Sequence, residues 1–167
     1  MDRTILAIDP GTGRCGWAVL SQNSARRSQE NIRLLDCGCI DTPSKTPLHK
    51  RLVRIFDEID KMIKKYKPTQ MAIEELFFVK NVKTGISVGQ ARGVIMLAGV
   101  KNNLEIFEYK PNEIKLTIAG YGHATKGQMQ KMLTYHIKGC SISQDDMVDA
   151  IAVGICHLQK SNSRMNL

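Results

Sequence analysis

With 167 residues the chain has room for one domain with a sizeable core, and an apolar content of 43% is ordinary for a globular protein. A net charge of +8, from 24 basic and 16 acidic residues, points to a polyanionic partner, nucleic acid first and an acidic membrane surface second. No run approaches the roughly 18 apolar residues of a membrane helix, Met1-Asp2-Arg3 opens no signal peptide, and the five cysteines match no zinc spacing. Reduced, mostly buried thiols in a cytoplasmic protein are the expectation.

In chain order, Thr4 to Asp9 is an apolar run of strand length that ends in a carboxylate, and Pro10-Gly11 stops it. Gly16 to Leu20 follows as a second strand, Ser21 to Asn31 as a polar loop with Arg26-Arg27, and Ile32 to Ile40 as a third strand, which places Cys37 and Cys39 on one side. Three strands so close in sequence argue an antiparallel meander. Pro47 to Tyr66 is an amphipathic helix, with Leu48, Leu52, Ile55, Phe56, Ile59, Met62, Ile63 and Tyr66 at helical spacing. Lys67-Pro68 ends it.

Gln70 to Glu75 repeats the pattern of the first strand: Met71-Ala72-Ile73 runs into Glu74-Glu75. Leu76 to Gly85 reads as a loop, Ser87 to Lys101 as a helix apolar on more than one face, and Leu104 to Tyr109 as a fifth strand. Pro111 to Ala119 and Gln128 to Ile137 read as helices around a Gly-rich turn. Asp145 to Lys160 is the last helix, with Ser143 as N-cap and a frayed tail over 161–167. No linker or repeat divides the chain, so 1–167 is expected to be a single domain.

Four acids stand out. Asp9 and Glu74 close apolar strands, and an aspartate at that point leaves a buried strand where open α/β sheets form sites. A turn-initiating Asp before Pro-Gly is the plainer reading of Asp9 alone. Asp146 and Asp149 share a face of the last helix. The helix dipole explains Asp145 and Asp146 cheaply, and Asp149, set among Val148, Ala150 and Ile151, less well. Together these hard oxygen donors suit Mg²⁺ or Mn²⁺, and two such ions about 3.5–4 Å apart serve in-line phosphodiester hydrolysis. Phe77-Phe78 near Lys80 and Lys83 reads as one exposed base-stacking residue, Phe77, and one core residue, Phe78. Lys115 and Lys126 flank the turn Gly120-Tyr121-Gly122-His123, where either can neutralise phosphate charge or be one of many surface lysines.

In strand order and acid placement the chain resembles the ribonuclease H-like fold, and more finely the RuvC family of Holliday junction resolvases. The residues that carry the resemblance are Ile8-Asp9-Pro10-Gly11, Ala72-Ile73-Glu74, Phe77 with Lys80-Asn81, Gly89 to Val94, Phe107-Glu108-Tyr109, and Asp146-x-x-Asp149-Ala150, spread over roughly Thr4 to Leu158. The resemblance implies an α/β fold with a central five-stranded mixed sheet, its first three strands antiparallel, and helices on both faces. It implies a homodimeric endonuclease of recombination and DNA repair that makes paired symmetric nicks across a four-way DNA junction and leaves 5′ phosphates and 3′ hydroxyls. Mg²⁺, for which Mn²⁺ can substitute, is the implied cofactor, at two ions per subunit.

By the same resemblance Asp9, Glu74, Asp146 and Asp149 match the metal-binding acids, Phe77 a base-stacking aromatic, and Lys115 and Lys126 catalytic cations near the scissile phosphate. Lys80, Lys83, Arg14 and Arg92 are the further expected DNA contacts, and a branch-migration complex, RuvA with RuvB, is the implied partner. The longer basic loop over Ser21–Asn31 departs from the family pattern. Three other readings stay open at this point. Asp9 to Gly13 is also similar to the phosphate loop of actin-like ATPases and sugar kinases, although those need two such domains. A module that holds junctions without cutting them would share the basic charge and Phe77 but not the acids. A ribonuclease H-like nuclease acting on RNA or flaps would share the fold.

Overall fold

The computed structural model describes residues 2–23, 32–76, 81–137 and 145–164, without the side chains of 2, 145, 146 and 162–164. The expectations for Phe77, Phe78, Lys80 and Ser143 lie outside the described residues, as does that for the Asp146 side chain. The elements run β1 (Asp2–Asp9), β2 (Arg14–Asn23), β3 (Ile32–Asp41), α1 (Leu48–Tyr66), β4 (Gln70–Glu74), α2 (Val82–Lys101), β5 (Glu105–Tyr109), α3 (Pro111–Ala119), α4 (Lys126–His136) and α5 (Asp145–Arg164).

The sheet order is β3-β2-β1-β4-β5. β1, β2 and β3 form the expected antiparallel meander, while β4 and β5 add in parallel on the other side of β1. The apolar strand that ends in Asp9 is therefore the centre of the sheet. Its alternation splits the core in two. Ile5 and Ala7 join Leu20, Ala72 and the apolar residues of α3, α4 and α5. Leu6 and Ile8 join Val19, Met71, Ile73 and the apolar faces of α1 and α2. Helices thus cover both faces, and each buried Ile or Leu contributes about 1.5–3 kcal/mol.

α1 follows its stripe, burying Ile55, Ile59, Met62 and Ile63, and ends on Lys67 in the left-handed region (φ 48°), whose N–H donates to Ile63 O at 2.8 Å. α5 lies between the sheet and α3 and α4, with Val148 and every residue from Ala150 to Leu158 buried. At Gly154 the helix touches the sheet: a Cβ there would overlap Leu20 Cδ1 and come within 3.0 Å of Ala7 Cβ. A buried His157 anchors the same helix, meeting Tyr109 Oη at 2.8 Å and both Arg3 and Gln70 at 3.0 Å.

Three helices depart from their expected limits, each for a local reason. α2 begins at Val82 rather than Ser87, because Asn81 Oδ1 accepts from the N–H groups of Lys83 and Thr84 at 3.0 and 3.3 Å. Gly85, read as a loop residue, is helical. α4 begins at Lys126 because Thr125 caps it and Gln128 Oε1 accepts from Thr125 N at 2.8 Å. α5 continues past Lys160 to Arg164. Ser161 is tied in there, its Oγ donating to Leu158 O at 3.1 Å and accepting from Arg3 at 2.7 Å.

Candidate active site

The register between β1 and β4 pairs Ile8 with Ile73, so Asp9 and Glu74 stand side by side at the ends of two adjacent parallel strands. Parity aims them. Asp9 shares a strand face with Ile5 and Ala7, and Glu74 with Ala72, and this is the face that α5 covers. Asp149, near the start of α5, lies over the same end of the sheet. Gly11 allows the chain to turn back so sharply, since a Cβ there would collide with the carbonyl of Arg14.

Asp9, Glu74 and Asp149 line one cavity of about 330 Å³ together with Lys115 of α3 and Lys126 of α4. Five candidates that are distant in the sequence are thereby brought together. Apolar residues complete the wall, among them Ile114, Ala124 and Met129. Sequence reasoning had not assigned these to the site: Ile114 and Met129 stood only within expected helices, and Ala124 in the turn between them. An apolar wall lowers the local dielectric and strengthens every charge interaction inside.

The electrostatics are congested. Burial pushes the Glu74 carboxyl up to about 8; the charge of Asp9, a hydrogen bond with Asp9 and the charge of Asp149 add to the rise, and Lys115 opposes it. Asp149 pairs instead with Lys126, Nζ to Oδ2 3.5 Å. Lys126 occupies the first turn of α4, where the helix dipole disfavours a cation, and the nearby carboxylate offsets that cost. Burial also pushes the Cys15 thiol up to about 12, so it supplies no thiolate beside Asp9.

As placed, no three His, Cys, Asp or Glu side chains among the described residues form a ready metal cluster. One carboxylate, Asp149, answers Lys126, while Glu74 shares a hydrogen bond with Asp9. The donor chemistry nonetheless fits a divalent cation. Three hard carboxylates face one cavity, and their mutual repulsion is what a doubly positive ion removes.

Of the expected DNA contacts, Arg14 lies at the Asp9 end of the sheet, exposed and paired with Asp41 at 3.4 Å. Lys83 is exposed in the first turn of α2. Arg92 of α2 is half-buried, and its guanidinium is ion-paired with Glu108 of β5. Cys15 and Cys156 are buried and Cys37 and Cys39 partly so. Among the described residues no helix is long and apolar enough to cross a membrane.

The Glu74 shift makes stability depend on pH. Because the folded carboxyl binds its proton more tightly than the unfolded one, with its ordinary value near 4.5, the stability that Glu74 contributes is fully present below that value and is lost as pH rises towards about 8. In EDTA, urea midpoints are expected to fall across this window, and less so in Glu74→Gln. Identical slopes in the two proteins would show that Glu74 does not titrate there.

A five-stranded mixed sheet with acids closing its two central parallel strands defines the ribonuclease H-like class. A family model described as crossover junction endodeoxyribonuclease RuvC matches residues 5–157. Relatives of that name include the protein of Brachyspira hyodysenteriae, 46% identical over 157 residues that cover 93% of this chain and 94% of the relative. That of Natranaerobius thermophilus is 40% identical over 164 residues, covering 98% and 99%. Among solved structures, T. thermophilus RuvC in complex with Holliday junction substrate matches with a TM-score of 0.87 over 97% of this chain and 96% of that one, at 24% identity. The chain belongs to the RuvC family, and as a member it is a crossover junction endodeoxyribonuclease. The phosphate-loop kinase and the non-cleaving module are thereby set aside.

Proposed function

We propose that the chain cuts four-way DNA junctions by paired symmetric nicks, leaving 5′ phosphates and 3′ hydroxyls, and that the cavity between β1, β4 and α5 performs the hydrolysis. The observation that carries this reading is the convergence of Asp9, Glu74 and Asp149 with Lys115 and Lys126 on one cavity. Asp9, Glu74, Asp149 and Asp146 would hold Mg²⁺, with two ions per subunit and Mn²⁺ as a substitute. Such ions lower the pKa of the attacking water and take up charge on the leaving 3′ oxygen.

The chain's own residues do the rest. Glu74 gives up its proton on loading, which couples metal affinity to pH. Lys126 is held beside Asp149 until the acid has a stronger partner, and is then available to the scissile phosphate, as is Lys115. The apolar wall formed by Ile114 and Met129 limits water around the reacting group. Phe77 would stack on a base at the opened junction, with Lys80, Lys83 and Arg14 on flanking phosphates.

Two opposed strands require two sites in matching geometry, which a two-fold dimer supplies. α2 offers the face: Val82, Ile86, Leu97 and Val100 are exposed although apolar. A homodimer acting in the cytoplasm with a branch-migration complex of the RuvA and RuvB kind is the assembly we propose.

Incubation with Mg²⁺ and a synthetic junction, a linear duplex or a flap tests the reading. Symmetric nicks on the junction alone, made by protein that sediments as a dimer at micromolar concentration, are the expected result. Equal cutting of the flap, or a strict monomer, would overturn it.

A further inference from the structure

A second and larger cavity, about 890 Å³, opens on the other side of the turn that follows Asp9. Its walls are the β1–β2 turn at Thr12 and Gly13, the loop between β3 and α1, and the first turns of α1 and α2. Three cations line it, Lys45, Arg51 and Lys83, and no lining side chain among the described residues is acidic. Elsewhere the cations often have acidic neighbours, as in Arg14 with Asp41 and Lys64 with Asp60. Among the described residues no carboxylate lies within ion-pair reach of these three.

Arg51 is fixed in place. Its Nε donates to Thr42 Oγ1 at 2.9 Å. Thr42 in turn donates its hydroxyl to Thr12 O and its backbone N–H, at 2.8 Å, to Gly13 O. The terminal nitrogens of Arg51, which form the fork that pairs with two phosphate oxygens, reach the turn: Nη2 lies 3.9 Å from where a Gly13 Cβ would stand. Thr12 Oγ1 also meets Ser87 Oγ of α2 at 3.3 Å, so the turn, α1 and α2 are braced as one unit. Neither helix carries an acid in its first turn, so both helix dipoles add to the positive potential.

We propose that this groove is a phosphodiester track that seats the backbone of a junction arm, with Arg51 as its preset contact and Lys45 and Lys83 beside it. The inference rests on the junction-endonuclease reading and extends it. Because the turn joins Asp9 on one side to Thr12 and Gly13 on the other, a strand held in the groove would be registered against the cutting cavity. Arg51 and Lys45 carry no signal in the sequence: they sit on the polar side of an amphipathic helix and in a turn, where cations are ordinary.

The test is the salt dependence of junction binding, measured in EDTA so that nothing is cut. Each neutralised phosphate contributes about 0.9 to the slope of log K against log salt. Lys45→Gln with Arg51→Gln is expected to lower that slope by about 2. Lys45→Gln alone, on an exposed loop side chain, is expected to lower it by about 0.9 and guards against misfolding of the double variant. An unchanged slope in both, or a loss of affinity equal at every salt concentration, would overturn the track. Failure of the wild-type protein to nick junctions would overturn the parent reading alone, because the slope is read without cleavage.

Discussion

Asp9→Asn is expected to abolish junction cleavage while leaving junction binding at wild-type strength. The substitution keeps the size of the side chain and removes one ligand charge from the centre of the acid group. Metal activation supplies several kcal/mol of transition-state stabilisation, so the loss should be on the order of 10²–10⁴-fold in single-turnover rate. Binding should hold, because no cation of either cavity is touched and the DNA-facing surface becomes one unit less negative. A further readout separates chemistry from misfolding. Asp9 is one cause of the raised Glu74 pKa, so its neutralisation relieves repulsion, and the variant should melt no lower than wild type in EDTA. Cleavage at a normal rate would show that Asp9 holds no metal.

Gly154→Val is expected to be the most damaging single substitution in α5. Propensity alone would predict a gain, since a glycine inside a helix costs about 1 kcal/mol relative to alanine. Packing reverses the sign. A Cβ at Gly154 already overlaps Leu20 Cδ1 and crowds Ala7, both fully buried, so neither can swing into solvent. Overpacking of this kind costs about 1–3 kcal/mol or more, about 2–12 °C in Tm for a chain of this size. Activity should fall further than stability, because the helix that is lifted also carries Asp149. Leu20→Ala in the same chain should restore part of both. A Tm unchanged by Gly154→Val would mean that α5 does not lie this close to β1 and β2.

The parts of the fold that were legible were those written in a single period. β1 and β4 announce themselves as apolar runs ending in acids, and α1 as a stripe at helical spacing. The start of α2 was not legible, because Gly85 imitates a loop and the side chain that caps the helix, Asn81, acts from outside the apolar pattern. The site was legible as a list of acids and lysines but not as an arrangement. Nothing in the sequence pairs Lys126 with Asp149, or Arg92 with Glu108, because both depend on which elements lie together in space. The apolar side of the acid-lined cavity and the cationic groove were hidden for the same reason.

The acids come from positions 9, 74 and 149, and the third belongs to the last helix of the chain. That helix also fills the layer between the sheet and α3 and α4. A nascent polypeptide therefore exposes the apolar side of its sheet that α5 covers, and lacks the third acid, until α5 has been synthesised and has docked. Docking of that one helix buries this side of the sheet and brings the third acid to the other two in a single step, so burial of the core and assembly of the acid group are coupled.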